Sequence, residues 1–172
     1  MERVRVLADG RVGIGTKLPT EALHVEGHVE GVPVVGTWFP SAHGTSYAVN
    51  SYNFMKLDVE QFNTAPEVLV SNGSDTIVVK KAGFYRVDLR TITYNQAGYG
   101  NHVETWLNGA RLHLSHHTYN NALSWRRHAT SVVTYMEADS TMQVRVYCNA
   151  TTLTYCYHSG PSYTALTIQR LN

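Results

Sequence analysis

The sequence predicts an all-β sandwich, and three observations carry that prediction. Apolar and polar residues alternate with a period of two along most of the chain, tight-turn dipeptides punctuate the alternating runs, and helical periodicity is almost absent. Half-buried antiparallel strands give this period because successive side chains point to opposite faces of a sheet. Many short strands separated by such turns close into a two-layer sandwich of the jelly-roll type.

Strands are expected near 34–39, 47–57, 66–70, 75–80, 84–94, 102–107, 110–115, 126–136, 141–148 and 162–171. In "FYRVDLRTIT", Tyr85, Val87, Leu89 and Thr91 share one face, against Arg86, Asp88 and Arg90. "VETWL" sets Val103, Thr105 and Leu107 opposite Glu104 and Trp106, and "ARLHL" sets Ala110, Leu112 and Leu114 opposite Arg111 and His113. "MQVRVYC" turns Met142, Val144, Val146 and Cys148 inward. The best helical candidate, Thr20 to Val25, is very short. "KKAG", "LNGA" and "EADS" are tight links, and Asn108-Gly109 is the strongest hairpin signal.

The remaining connections are long and rich in Tyr, His, Asn and Ser: 95–101, 116–125 and 149–162. If consecutive strands run antiparallel, parity places all three long loops at one end of the sandwich. The tight links and the C-terminus then lie at the other end.

At 172 residues with a net charge of +1, the chain fits one domain plus an appendage and shows no charge bias toward nucleic acid. No apolar run approaches the roughly 20 residues of a membrane span. Met1-Glu2-Arg3 leads into an alternating segment rather than the apolar core of a signal peptide. Cys148 and Cys156 lie close in sequence, either bridged across a loop or both reduced.

The opening "VRVLADGRVGIGTKLPTEALHVEGHVEG" alternates apolar residues with glycine. Val12, Ile14, Leu23 and Val25, with Val4 and Val6, are too few for a core within one chain, but three copies can share one. Gly13 and Gly15 are expected to let backbones approach closely on a common axis. The segment resembles one found in trimeric phage tail fibres and bacterial surface fibres. The match lies in Asp9-Gly10, Val12-Gly13-Ile14-Gly15-Thr16, Pro19, Leu23, Val25 and Gly27, about a sixth of the chain.

From about Val34 onward the pattern resembles the heads of the tumour necrosis factor and complement globular-head superfamily. "VVKKAGFYRVDLRTITY", "VETWLNGARL", "MEADSTMQVRVY" and "YTALTIQRL" carry the resemblance. Ala138 stands where that superfamily usually has Gly, and the closing strand lacks its usual Phe and Gly. Together the resemblances imply a trimerising fibre segment at 1–33, a jelly-roll head at 34–172 and a homotrimer outside the cell.

No nucleophile–base pair, close carboxylate pair or phosphate loop is apparent, so no enzyme is expected. No cofactor is expected either. His113, His116 and His117 alternate on a strand and do not converge on one metal ion, although a threefold axis could gather one His from each chain. "SNGSD" lacks the acidic density of a calcium loop and reads as a turn.

Tyr99, His116, His117, Tyr119, Trp125, Tyr157 and His158 in the long loops are the candidate ligand contacts. Rigid aromatic side chains with polar tips, set among Asn and Ser, suit the apolar faces and hydroxyl rims of sugars. The function expected is an adhesive, receptor-binding fibre tip that recognises a cell-surface ligand, a glycan in the first instance. A free-standing trimeric lectin or cytokine-like ligand is the alternative, and a fibre-borne depolymerase is a third, weaker reading.

Overall fold

The computed structural model describes residues 4–26, 33–42, 51–95, 101–117, 124–148 and 159–171. The chain divides into two units, Met1–Pro33 and Val34–Asn172.

The first unit is a three-stranded sheet of β1 (Val4–Val6), β2 (Val12–Ile14) and β3 (Leu23–Val25). β1 runs antiparallel to β2, and β3 runs parallel to it. The register aligns Val4, Ile14 and Val25 in one row and Val6, Val12 and Leu23 in the next. All six therefore share one face. Val4, Val6, Ile14 and Leu23 are exposed there, Val6 at 67%.

Thr20 to Val25 is not helical, because Leu23–Val25 pairs with β2 and a helix of that length has nothing to propagate it. Gly13 and Gly15 are each crowded within their own chain. A β-carbon on Gly13 would sit 2.6 Å from the Thr16 carbonyl oxygen, and Gly15 has φ +77° with the Glu26 carbonyl close by.

The second unit continues with β4 (Val35–Phe39), β5 (Ser51–Phe54), β6 (Val59–Asn63), β7 (Leu69–Ser71), β8 (Thr76–Val79), β9 (Gly83–Asn95), β10 (Asn101–Leu107), β11 (Ala110–His117), β12 (Ser124–Met136), β13 (Ser140–Cys148) and β14 (Ala165–Leu171). One sheet has the order β12-β9-β14-β4-β6, and the other has the order β11-β10-β13-β8-β7. β13 is long enough to pair β8 with its first half and β5 with its second. Every pairing in both sheets is antiparallel.

The core lies between the sheets and follows the alternation. Tyr85, Val87 and Leu89 of β9 and Leu166 and Ile168 of β14 meet Val103 of β10 and Met142, Val144 and Val146 of β13. Trp38 is fully buried among them, and its indole Nε1 donates to Glu60 Oε2 at 3.2 Å.

Three details depart from expectation. β6 was not anticipated, because "VEQFN" does not alternate, being exposed through Glu60, Gln61 and Phe62. Residues 161–163 form a turn before β14 rather than its first residues. Leu114 is exposed and faces Glu104 instead of the core. An irregularity between Thr105 and Trp106 pairs them with His113 and Arg111, which shifts the parity of β11.

The register also fixes the two ends of the sandwich. Gly83 opposes Met136, Phe84 opposes Leu171, Leu107 opposes Met142, and Val79 opposes Ser140. The Val34 carbonyl accepts from Arg170 N at 2.8 Å, so the chain enters and leaves the head at this turn end. Asn108 and Gly109 both have positive φ, as their hairpin requires. Asn108 Oδ1 accepts from Thr141 N at 2.8 Å, and Lys80 pairs with Asp139 at 2.7 Å.

Candidate functional site

The far end of the head carries the long connections. Asn95 opposes Ser124, Asn101 opposes His117, and Cys148 opposes Ser51. The chain therefore leaves for 95–101, 116–125 and 149–162 from one end, opposite Val34 and Leu171. Ser41 and Asp58 brace this end, the Asp58 carboxylate accepting from Ser41 N at 2.8 Å and Ser41 Oγ at 2.7 Å. Gly160 N donates to Pro40 O at 3.3 Å.

Of the predicted contacts, His116 and His117 end β11, His116 opposite His102, and Trp125 lies on β12 opposite Tyr94. These three are placed by backbone register alone. Tyr99, Tyr119, Tyr157 and His158 lie outside the described residues, as does the pairing of Cys148 with Cys156.

Beneath this end His128 is buried. Its Nε2 lies 2.8 Å from Thr93 Oγ1 and its Nδ1 3.0 Å from Ser115 Oγ. Ser115 belongs to β11 and His128 to β12, so this imidazole ties one sheet to the other.

Two sheet faces outside the core have distinct characters. On the outward face of β12-β9-β14-β4-β6, small and polar side chains leave a groove of about 660 Å³ lined by Thr37, Phe62, Asp88, Ala129, Ser131 and Thr167. Thr37 and Thr167 hydroxyls meet at 2.9 Å across its floor. Toward the turn end the face becomes apolar. Phe84, 57% exposed, packs edge-on against Tyr135 at 5.3 Å beside exposed Val133.

The outward face of β11-β10-β13-β5 is aromatic and charged. Glu104 is only 1% exposed although it lies on this face. Trp106 Nε1 donates to its Oε2 at 2.6 Å, and Arg111 Nη1 donates to its Oε1 at 3.2 Å. Burial, then the Glu104 carboxylate, raises the Tyr52 phenol above its ordinary value and keeps it protonated. Tyr52, Tyr147 and His102 form a ladder with ring centroids 4.9 and 5.3 Å apart.

The sequence reading missed this cluster. The outward alternation of Glu104 with Trp106, and of Arg145 with Tyr147, was legible. The pairing that sets β5 beside β13 joins distant segments and leaves no local signal.

"SNGSD" is a turn, since Asn72 Oδ1 accepts from the backbone of Ser74, Asp75 and Thr76. Among the described residues no group of three or more His, Cys, Asp or Glu could hold a metal ion.

This arrangement defines an all-β jelly roll with a tumour necrosis factor-like fold. The crystal structure of murine APRIL at pH 8.0 matches with a TM-score of 0.65 and 12% identity, covering 81% of this chain and 99% of that one. Murine APRIL at pH 5.0 matches with 0.64 and 10% over the same shares. The crystal structure of Pika GITRL matches with 0.50 and 13%, covering 81% and 96%. At these identities the likeness is one of fold. No family model matches the chain, and no curated protein matches it.

Proposed function

We propose that the protein is a homotrimeric, extracellular binding head that recognises a cell-surface partner, a glycan in the first instance, through its loop end. The observation that carries this reading is positional. Three long connections rich in Tyr, His, Asn and Ser leave from one end, while Val34 and Leu171 lie at the other. Aromatic loops held by a rigid sandwich suit a binding role. Three copies would multiply weak single-site contacts.

Two surfaces support the trimer. The six apolar side chains on one face of the β1-β2-β3 sheet find no core within three short strands, and exposed apolar clusters of this kind mark interaction sites. The outward face of β12-β9-β14-β4-β6 offers a groove of small side chains beside Phe84, Val133 and Tyr135.

The fold likeness to APRIL favours a free-standing, cytokine-like ligand. The DGRVGIGT segment favours a head carried on a phage or bacterial fibre. Immunogold labelling of intact particles and cells separates these: label at fibre ends supports the second, and label confined to soluble protein supports the first.

A glycan array and whole-cell binding with the purified protein test the shared reading. Alanine at Tyr99, Tyr119, Trp125 or Tyr157 should abolish binding in at least two cases with melting temperature and assembly unchanged. Full binding by all four variants would overturn it.

A further inference from the structure

We propose that the outward face of β11-β10-β13-β5 holds a second binding site, for a sugar bearing a carboxylate, with Arg145 as the anion-binding group and Tyr52 as the stacking ring. It does not rest on the loop-end reading.

Arg145 makes the case for the anion. Its guanidinium carbon lies 4.5 Å from the centroid of the Phe54 ring and 3.7 Å from that of Trp106. The two aromatic faces fix its orientation without using its N–H groups. Its Nε is buried without a hydrogen-bond partner among the described residues, and the terminal nitrogens are the donors left for a ligand. The carboxylate of Glu104, opposite it in register, takes its hydrogen bonds from Trp106, Arg111 and the Tyr52 phenol instead. Arg111, Arg145 and Glu104 together leave this face with one surplus positive charge. A guanidinium held in place by two rings can present its two terminal nitrogens to the planar, paired oxygens of a carboxylate.

The sugar follows from what lies beside that charge. Tyr52 is 45% exposed at the edge of the ladder and carries a protonated phenol at its rim. Tyr147 stands two residues from Arg145 on the same face of β13, about 6–7 Å along the strand. One six-membered sugar ring with its carboxylate spans that separation. An aromatic face for the ring, a hydroxyl at its edge and a cation at one end are the groups an acidic sugar needs.

The test uses an array of uronate- and sialate-bearing glycans with their carboxyl-reduced counterparts. The protein is compared with Arg145→Gln, Arg145→Lys and Tyr52→Ala. The protein should bind acidic glycans and lose at least about tenfold on the carboxyl-reduced forms. Arg145→Gln should lose a similar factor, Arg145→Lys should recover part of it, and Tyr52→Ala should weaken binding several-fold.

Melting temperature is read for each variant, and Tyr52→Ala, at an exposed edge position, carries the test if Arg145→Gln fails to fold. Absence of acidic-glycan binding, or equal binding by Arg145→Gln or by the carboxyl-reduced glycans, would overturn the proposal. So would equal competition by polyglutamate or sulfated polymers, which would mean a plain cationic patch. Loss in Trp125→Ala while Arg145→Gln stays silent would assign the glycan to the loops instead.

Discussion

The indole of Trp38 lies across the α-carbon of Gly36, in the space where a β-carbon would stand. Both residues face the core from β4, two positions apart, and the missing side chain of one makes room for the other. Gly36→Ala should therefore force the indole or the strand to move and destabilise the head by about 1–3 kcal/mol. Urea unfolding should show a lower midpoint with an unchanged slope. A midpoint equal to that of the parent protein would show that the indole relocates freely.

Asp58 gives the loop end a dependence on acid. Burial pushes its carboxyl up, but the two hydrogen bonds from Ser41 outweigh this and hold it below the ordinary value of 3.8. A depressed carboxylate stabilises the fold fully above its unfolded pKa and loses that contribution as pH falls through the lower, folded value. Asp58→Asn should cost about 0.5–1 kcal/mol at neutral pH, a modest figure because the pair faces solvent. The variant should lose correspondingly less between pH 5 and pH 2. Parallel unfolding curves for the two proteins across that range would contradict this role.

The proposed assembly is tested on both surfaces separately. Ile14→Asp would place unpaired charges together among apolar side chains, and Ser131→Arg would fill the groove on the β12-β9-β14-β4-β6 face. Each should weaken self-association by at least about tenfold, since an unpaired buried charge costs several kcal/mol. Sedimentation velocity across a concentration series reads the effect, with circular dichroism confirming the fold. A monomeric parent protein at micromolar concentration would remove the trimer from consideration.

Much of the sandwich was readable because its central strands obey one rule. β9, β10 and β13 each alternate cleanly, so the buried faces of Tyr85, Val103 and Val144 followed from position alone. Tight turns at Asn108-Gly109 and Asp139 then fixed which strand ends meet. What escaped depends on partners far away in sequence or on a break in parity. β6 is an edge strand with little to bury, and the misassigned Leu114 followed from an irregularity that the local residues do not announce. The cluster around Glu104 needed β5, β10, β11 and β13 together, and only the pairing of β5 with β13 brings Phe54 to Arg145. Gly13 was read as a site of close backbone approach, while its crowding against Thr16 of its own chain depends on a local turn that the sequence does not spell out.

Val34 and Leu171 flank one another at the turn end, and this makes the head an exchangeable cartridge. Changes at the far end should therefore leave the Val34–Arg170 seam undisturbed. A reporter fused after Asn172 should sit clear of the long loops. A foreign loop set grafted between β9 and β10, β11 and β12, and β13 and β14 should inherit the same socket.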